Sequence, residues 1–180
     1  MKATTLLIRQ HRKVEAIFKK LESGKGDAPE LLRELADDLA AHMAIEQEIF
    51  YPAVRSIEIK EDVVAESFEE HAVAELALKR LLATSPNAPS FKAKVVTLKE
   101  LIEHHVEEEE EELFPAVERK MKDEQLEELG KQMKAEFESA LEKGFDSLVP
   151  KSMSTTSADA TNRPVTRRKN GHNRSASLRA

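Results

Sequence analysis

Two stretches of the chain set a glutamate four residues after a histidine and follow it with an aromatic–proline pair. The first is His42-Met43-Ala44-Ile45-Glu46 with Phe50, Tyr51 and Pro52; the second is His105-Val106-Glu107-Glu108-Glu109 with Phe114 and Pro115. Positions four apart on a helix share a face, so each pair turns an imidazole and a carboxylate the same way. Two more histidines, His11 and His71, each lie in an apolar stripe of helical spacing. An imidazole and carboxylate donor set suits iron or manganese, with zinc also possible. The chain has no cysteine, which excludes disulfides, thiolate zinc sites and iron–sulfur clusters. The repeated H-x-x-x-E pairs therefore predict a metal site built twice.

Long amphipathic helices must position these residues. Leu7, His11, Val14, Phe18 and Leu21 recur at spacings of 4, 3, 4 and 3, which predicts a helix from Ala3 to Glu22. Asp27 reads as the cap of a second helix carrying Leu32, Leu35, Leu39, His42, Glu46 and Ile49 on one stripe, with Pro52 near its last turn. A third helix spans Glu61 to Ala83 with Val64, Phe68, His71, Leu78 and Leu82 inward, and a fourth, capped by Asn87, runs from Ala88 to Lys120. His71 follows His11 by 60 residues and His105 follows His42 by 63, so the chain is a repeat of two αα-hairpins. Two hairpins make an up-down-up-down four-helix bundle. At a rise of about 1.5 Å per residue, the four histidines fall about 17 to 26 Å from their inter-helix turns, close to one level of the bundle.

A fifth amphipathic helix, Asp123 to Lys143, covers a flank or end of this all-α bundle, and the domain runs over residues 1–146. Residues 147–180 are rich in Ser, Thr and Arg with little apolar periodicity and are expected to be a disordered tail. Residues 151–180 hold seven Lys/Arg against Asp159, a charge of +6; the whole chain carries −6, so residues 1–150 carry −12. An acidic body argues against nucleic-acid binding by the folded part. No run reaches transmembrane length, and the expectation is a soluble, cytoplasmic protein with no membrane partner.

The order H…H-x-x-x-E…H…H-x-x-x-E, closed by Phe-Tyr-Pro and Phe-Pro, resembles the hemerythrin-like HHE cation-binding domains over residues 3–145. The resemblance implies two non-haem iron ions bridged by an oxo or hydroxo group. By the same resemblance, His11, His42, Glu46, His71, His105 and Glu109 are the metal ligands, with Glu46 and Glu109 as bridges. The oxygen-carrying hemerythrins differ in offering a second histidine on the third helix, where this chain has Glu75, and in ending on an aspartate one residue beyond Glu109. These differences argue against reversible oxygen carriage more than against metal binding.

Glu75 and Glu112 are the further candidates. Glu112 lies seven residues after His105, at nearly the same helical angle, and is expected on the core side as a ligand, a ligand's partner or a proton relay. Glu75 reads equally as a ligand or a surface charge. His104 points about 100° away from His105. Glu107, Glu108, Glu110 and Glu111 read as a solvated face, and Tyr51 as packing at the bundle end. The leading expectation is a di-iron protein that binds or reacts with O₂, hydrogen peroxide or NO, in stress defence, sensing or iron handling. The alternatives are a metal-dependent sensor or interaction module without turnover, and a metal-free helical scaffold. The sequence assigns no catalytic residue and does not decide whether the protein is an enzyme.

Overall fold

In the computed structural model, residues 1–57, 59 and 61–149 are described, and every regular element among them is helical. The order is α1 (Ala3–Ser23), α2 (Ala28–Ile45), a π-helical turn (Glu46–Phe50), α3 (Tyr51–Arg55), α4 (Glu61–Leu82), α5 (Phe91–Glu108), a second π-helical turn (Glu109–Leu113), α6 (Phe114–Lys120), α7 (Asp123–Lys143) and α8 (Phe145–Leu148). Each π turn joins the α segments on either side into one long rod. α1 packs on α2, α2 on α4, α4 on α5 and α5 back on α1, which closes the up-down-up-down four-helix bundle.

The helix ends follow from local chemistry. Gly24 ends α1 in the left-handed conformation (φ 65°), and its N–H reaches the Leu21 carbonyl. Asp27 caps α2 by accepting from the Glu30 N–H at 2.9 Å. Asn87, expected as the cap of the fourth helix, lies outside it. That helix begins at Phe91 after Ser90, with no side-chain cap. Pro89 disfavours helical backbone at Ala88, which holds the start back.

Two apolar clusters fill the bundle. One holds Phe18, Leu35, Leu78 and Leu98 near the α1–α2 and α4–α5 turns; the other holds Leu7, Phe50, Phe68 and Phe114 at the opposite end. The histidines form a polar layer between them. The fifth helix matches its expected bounds and covers a flank: α7 lies along α1 and α2 and inserts Leu126 and Met133 into the second cluster. Gly130 makes this approach possible, because a Cβ there would stand 2.3 Å from the Met1 carbonyl oxygen.

Ser147 and Leu148, expected to begin the tail, belong to α8, where Asp37 accepts from the Phe145 N–H at 2.8 Å. Val149, the next residue of the expected tail, is buried, and residues 150–180 lie outside the described residues. Among the described residues no helix is long and apolar enough to cross a membrane.

Candidate metal centre

Each long helix delivers one imidazole to a single layer. His11, His42, His71 and His105 are 2–5% exposed, and Glu46 and Glu109 are 0% and 1% exposed. Carboxylates this deeply buried need compensation. His42 Nε2 lies 3.1 Å and His71 Nε2 3.3 Å from the two Glu46 oxygens. Glu109 Oε2 lies 3.4 Å from His11 Nε2 and 3.8 Å from His105 Nε2. His71 Nε2 and His105 Nε2 are 3.0 Å apart.

These donors fall into two convergent groups. His11, His42, Glu46 and Glu109 can reach one point, and Glu46, His71 and His105 a second, with Glu46 common to both. His11 Nε2, both Glu46 oxygens and Glu109 Oε2 are buried without a hydrogen-bond partner. Orphaned lone pairs facing one another at 3.1–3.8 Å fit a shared cation. Two donors at about 2.1 Å from one ion stand roughly 3.0–3.4 Å apart at octahedral to tetrahedral angles.

The outward nitrogens are held as well, and the hold repeats with the fold. The residue before the first-helix histidine serves the second-helix histidine: Gln10 Oε1 is 2.8 Å from His42 Nδ1, and Glu70 Oε2 is 2.7 Å from His105 Nδ1. The residue after each buried glutamate serves the opposite hairpin: Gln47 Nε2 is 3.0 Å from His71 Nδ1, and Glu110 Oε1 is 2.8 Å from His11 Nδ1. The oxygens of Gln10, Glu70 and Glu110 accept from Nδ1–H, which fixes the ring and its tautomer and leaves the Nε2 lone pair for the interior. The Gln47 amide nitrogen instead donates to His71 Nδ1 and fixes the orientation of that ring. Glu110 is therefore bound to the site, where periodicity expected a solvated residue. Arg12 pairs with its other oxygen.

The π turns set the phase of each rod beyond its buried histidine and glutamate. In each, the N–H that closes the wide turn reaches back five residues: Tyr51 to the Glu46 carbonyl and Phe114 to the Glu109 carbonyl. The next residue is Pro52 or Pro115, which has no N–H and whose ring would press on the carbonyl four residues back. A widened turn relieves that conflict. The extra residue rotates everything beyond it. Phe50 and Leu113 become fully buried while Ile49 is half-buried, and Glu112, expected on the core side, is exposed and outside both donor groups.

The same rotation turns Tyr51 into the layer, where packing at the bundle end was expected. Its hydroxyl donates to Glu109 Oε1 at 3.0 Å and lies 3.4 Å from His71 Nε2. Phe114, at the equivalent place, stacks on the His11 ring with centroids 5.9 Å apart. Glu75 is buried one turn along α4 from His71, yet it too falls outside both groups. Burial pushes its carboxyl above the usual range.

Electrostatics in the layer run against simple burial. Burial would raise the Glu46 carboxyl, but the His42 and His71 imidazoles hold it well below the usual range. Burial opposes protonation of His105, yet Glu109 and Glu70 outweigh it and raise its pKa to about 9. His11 is likewise raised against burial, by Glu109 and then Glu46. His71 is lowered, first by burial and then by His105. Burial and the charges of Glu109 and Glu46 push the Tyr51 phenol well up, so it stays a neutral donor.

On the hairpin-turn side of the layer lies a pocket of about 20 Å³ walled by Val14, Leu39, Met43, Ile102 and Val106. That is room for about one water-sized molecule. A cleft of about 410 Å³ between α1 and α5 borders it and also reaches His11.

The chain is similar to known proteins. The family described as Hemerythrin HHE cation binding domain matches residues 2–117. A Nostoc sp. (strain PCC 7120) protein named DNA nickase is 33% identical over 129 residues, which are 69% of this chain and 36% of that protein. The chain thus spans about a third of that relative's length. The Mycobacterium tuberculosis protein Rv2633c, of uncharacterised function, is 28% identical over 77% of this chain and 86% of its own. The crystal structure of its Mycobacterium kansasii homolog, an HHE cation-binding domain-containing protein, superposes with a TM-score of 0.70. It is 27% identical to this chain and covers 79% of this chain and 89% of its own.

Proposed function

Because this chain belongs to the hemerythrin HHE cation-binding family, we propose that it holds two iron ions in the buried layer and binds or reacts with O₂, hydrogen peroxide or NO. His11, His42 and Glu109 would hold one ion and His71 and His105 the other, with Glu46 shared. Glu109, which approaches histidines of both groups, would be the second bridge. The observation that carries this reading is the pair of donor groups joined by Glu46, whose two oxygens are buried without a hydrogen-bond partner, bordered by a pocket of about 20 Å³. A pocket of that size has room for about one water-sized molecule and so favours small ligands.

Bound iron would supply a Lewis-acidic, redox-active position for such a ligand. The chain's own residues do the rest. Gln10, Gln47, Glu70 and Glu110 hold the imidazoles with Nε2 inward. Val14, Leu39, Met43, Ile102 and Val106 give the pocket apolar walls. Tyr51 donates to Glu109 and keeps that carboxylate's second oxygen free for the layer. Such reactivity would serve stress defence, sensing or iron handling, in a cytoplasmic setting with which a chain that has no cysteine to oxidise is compatible.

Iron analysis of the purified protein, with visible spectra before and after O₂, peroxide, NO and azide, tests the proposal. About two irons per chain and a spectrum that responds to these ligands are expected. Iron well below that ratio, or a spectrum indifferent to all four, overturns it.

The donors come from all four helices, which also supports a sensor reading, since metal occupancy then changes the stability of the whole bundle. Metal-dependent melting without turnover of peroxide or NO selects that reading. DNA cutting, named for the Nostoc relative, is disfavoured for the folded body by its charge of −12.

A further inference from the structure

We propose that Glu70, His104 and Glu108 form a surface site for a divalent cation, separate from the buried layer but joined to it through Glu70. The three residues offer one ligand atom each, all within 4.8 Å of one another. Glu70 comes from α4; His104 and Glu108, one turn apart, come from α5. His104 Nε2 stands 3.4 Å from Glu108 Oε1 and 3.7 Å from Glu70 Oε1. Both distances are too long for a good hydrogen bond. The first matches the separation of about 3.4 Å expected for two donors about 2.1 Å from a common tetrahedral ion, and the second is slightly longer.

The donor chemistry fits a borderline or hard divalent ion. One imidazole and two carboxylates suit Fe(II), Mn(II) or Zn(II), and the two carboxylates balance its charge. The His104 side chain is 64% exposed, so water can complete the coordination. Glu66 and Glu112 lie close enough to add negative charge around Glu108. This is a mixed site spanning two helices, and its His104-Glu108 spacing repeats that of His42-Glu46 and His105-Glu109.

Glu70 gives the site its reach. While Oε1 faces His104, Oε2 lies 2.7 Å from His105 Nδ1. A cation on the surface would draw on the same carboxylate that orients an interior imidazole. The surface ion is therefore one residue removed from the buried donors and placed to precede, or to report on, the ions held there. Only this coupling rests on the proposed interior metal centre; the surface site does not.

The test is a Mn(II) titration of the iron-loaded full chain, followed by electron paramagnetic resonance of free Mn(II). Wild type is expected to bind one Mn(II) per chain that exchanges water with solvent. His104→Ala and Glu108→Gln are each expected to weaken it at least tenfold, with unchanged iron content and circular dichroism. Equal Mn(II) binding by wild type and His104→Ala would mean diffuse attraction to an acidic surface and would overturn the proposal. His42→Ala separates the two readings. It should lose interior iron and keep the surface Mn(II); if it keeps its iron, the interior assignment fails and the surface site stands.

Discussion

Gln47 and Glu110 occupy equivalent places in the two hairpins, each directly after a buried glutamate, and each reaches a histidine of the other hairpin. Gln47 lies 3.0 Å from His71 Nδ1 and Glu110 2.8 Å from His11 Nδ1. The same position thus carries an amide on one side of the layer and a carboxylate on the other. A carboxylate partner makes an imidazole the more basic donor. Glu110→Ala should weaken iron binding about 10–100-fold, the usual cost of losing such a partner. Glu110→Gln, which restores the hydrogen bond without the charge, should recover part of it. Competition with a coloured chelator measures both.

Tyr51→Phe keeps the ring that packs against Phe50 and Phe68 and deletes the hydrogen bond to Glu109. Helix content should be unchanged. Denaturant unfolding after chelation should show a loss of about 1–3 kcal/mol, the cost of leaving a buried carboxylate oxygen short of a donor. An unchanged midpoint would mean that Glu109 finds another donor.

Removing metal should soften the bundle as a whole, since the candidate donors come from all four helices. With free metal about a thousand times its dissociation constant, the loss is about 4 kcal/mol. For a chain of this size that is roughly 8–16 °C in melting temperature. Scanning calorimetry with and without chelator reads it directly.

The chelated protein should also show a pH window. His105 is raised by Glu109 and Glu70 to about 9, so its contribution is complete below the unfolded value of 6.5 and is lost as pH rises through 9. Glu46 is held low by His42 and His71, so its contribution is present above 4.5 and is lost as pH falls toward its folded value. The melting temperature should be highest between pH 4.5 and 6.5 and decline on both sides. A melting temperature that rises steadily from pH 6.5 to 9 would contradict the assigned partners.

Gly130→Ala tests the docking of α7. The added methyl would meet the Met1 carbonyl at 2.3 Å and the Ala3 nitrogen at 2.9 Å, and both are backbone atoms. The expected destabilisation is about 1–3 kcal/mol. Early amide exchange in α7 would locate it.

The sequence exposes whatever depends on α-helical phase. His11 and His71 lie on apolar stripes, and His42 and His105 each precede a glutamate by one turn; the structure brings all six side chains into one layer. The reading loses its footing at Glu46 and Glu109, where one extra residue enters each helix. Periodicity then assigns Glu112 to the core and Glu110 to water, and the structure reverses both. A local signal exists: a proline stands six residues after each of these glutamates, where a missing N–H favours a wider turn ahead of it. Gln10 and Glu70 were legible in principle as well, since the 60-residue repeat aligns them, each before a histidine. What the sequence does not reveal is that each serves a histidine on the neighbouring helix.

The π turns give the two long rods a phase offset between their halves. The half up to the first residue of the turn aims His42 and Glu46, or His105 and Glu109; the half after the turn aims Tyr51 or Phe114 at the same layer. Deleting one residue of the turn beyond Gln47 or beyond Glu110 would leave every donor and its partner in the chain and restore an ordinary helix. It would also swing that half's aromatic ring away by about 100°. In each rod, then, one residue of added length decides whether a donor set and its aromatic cover face each other.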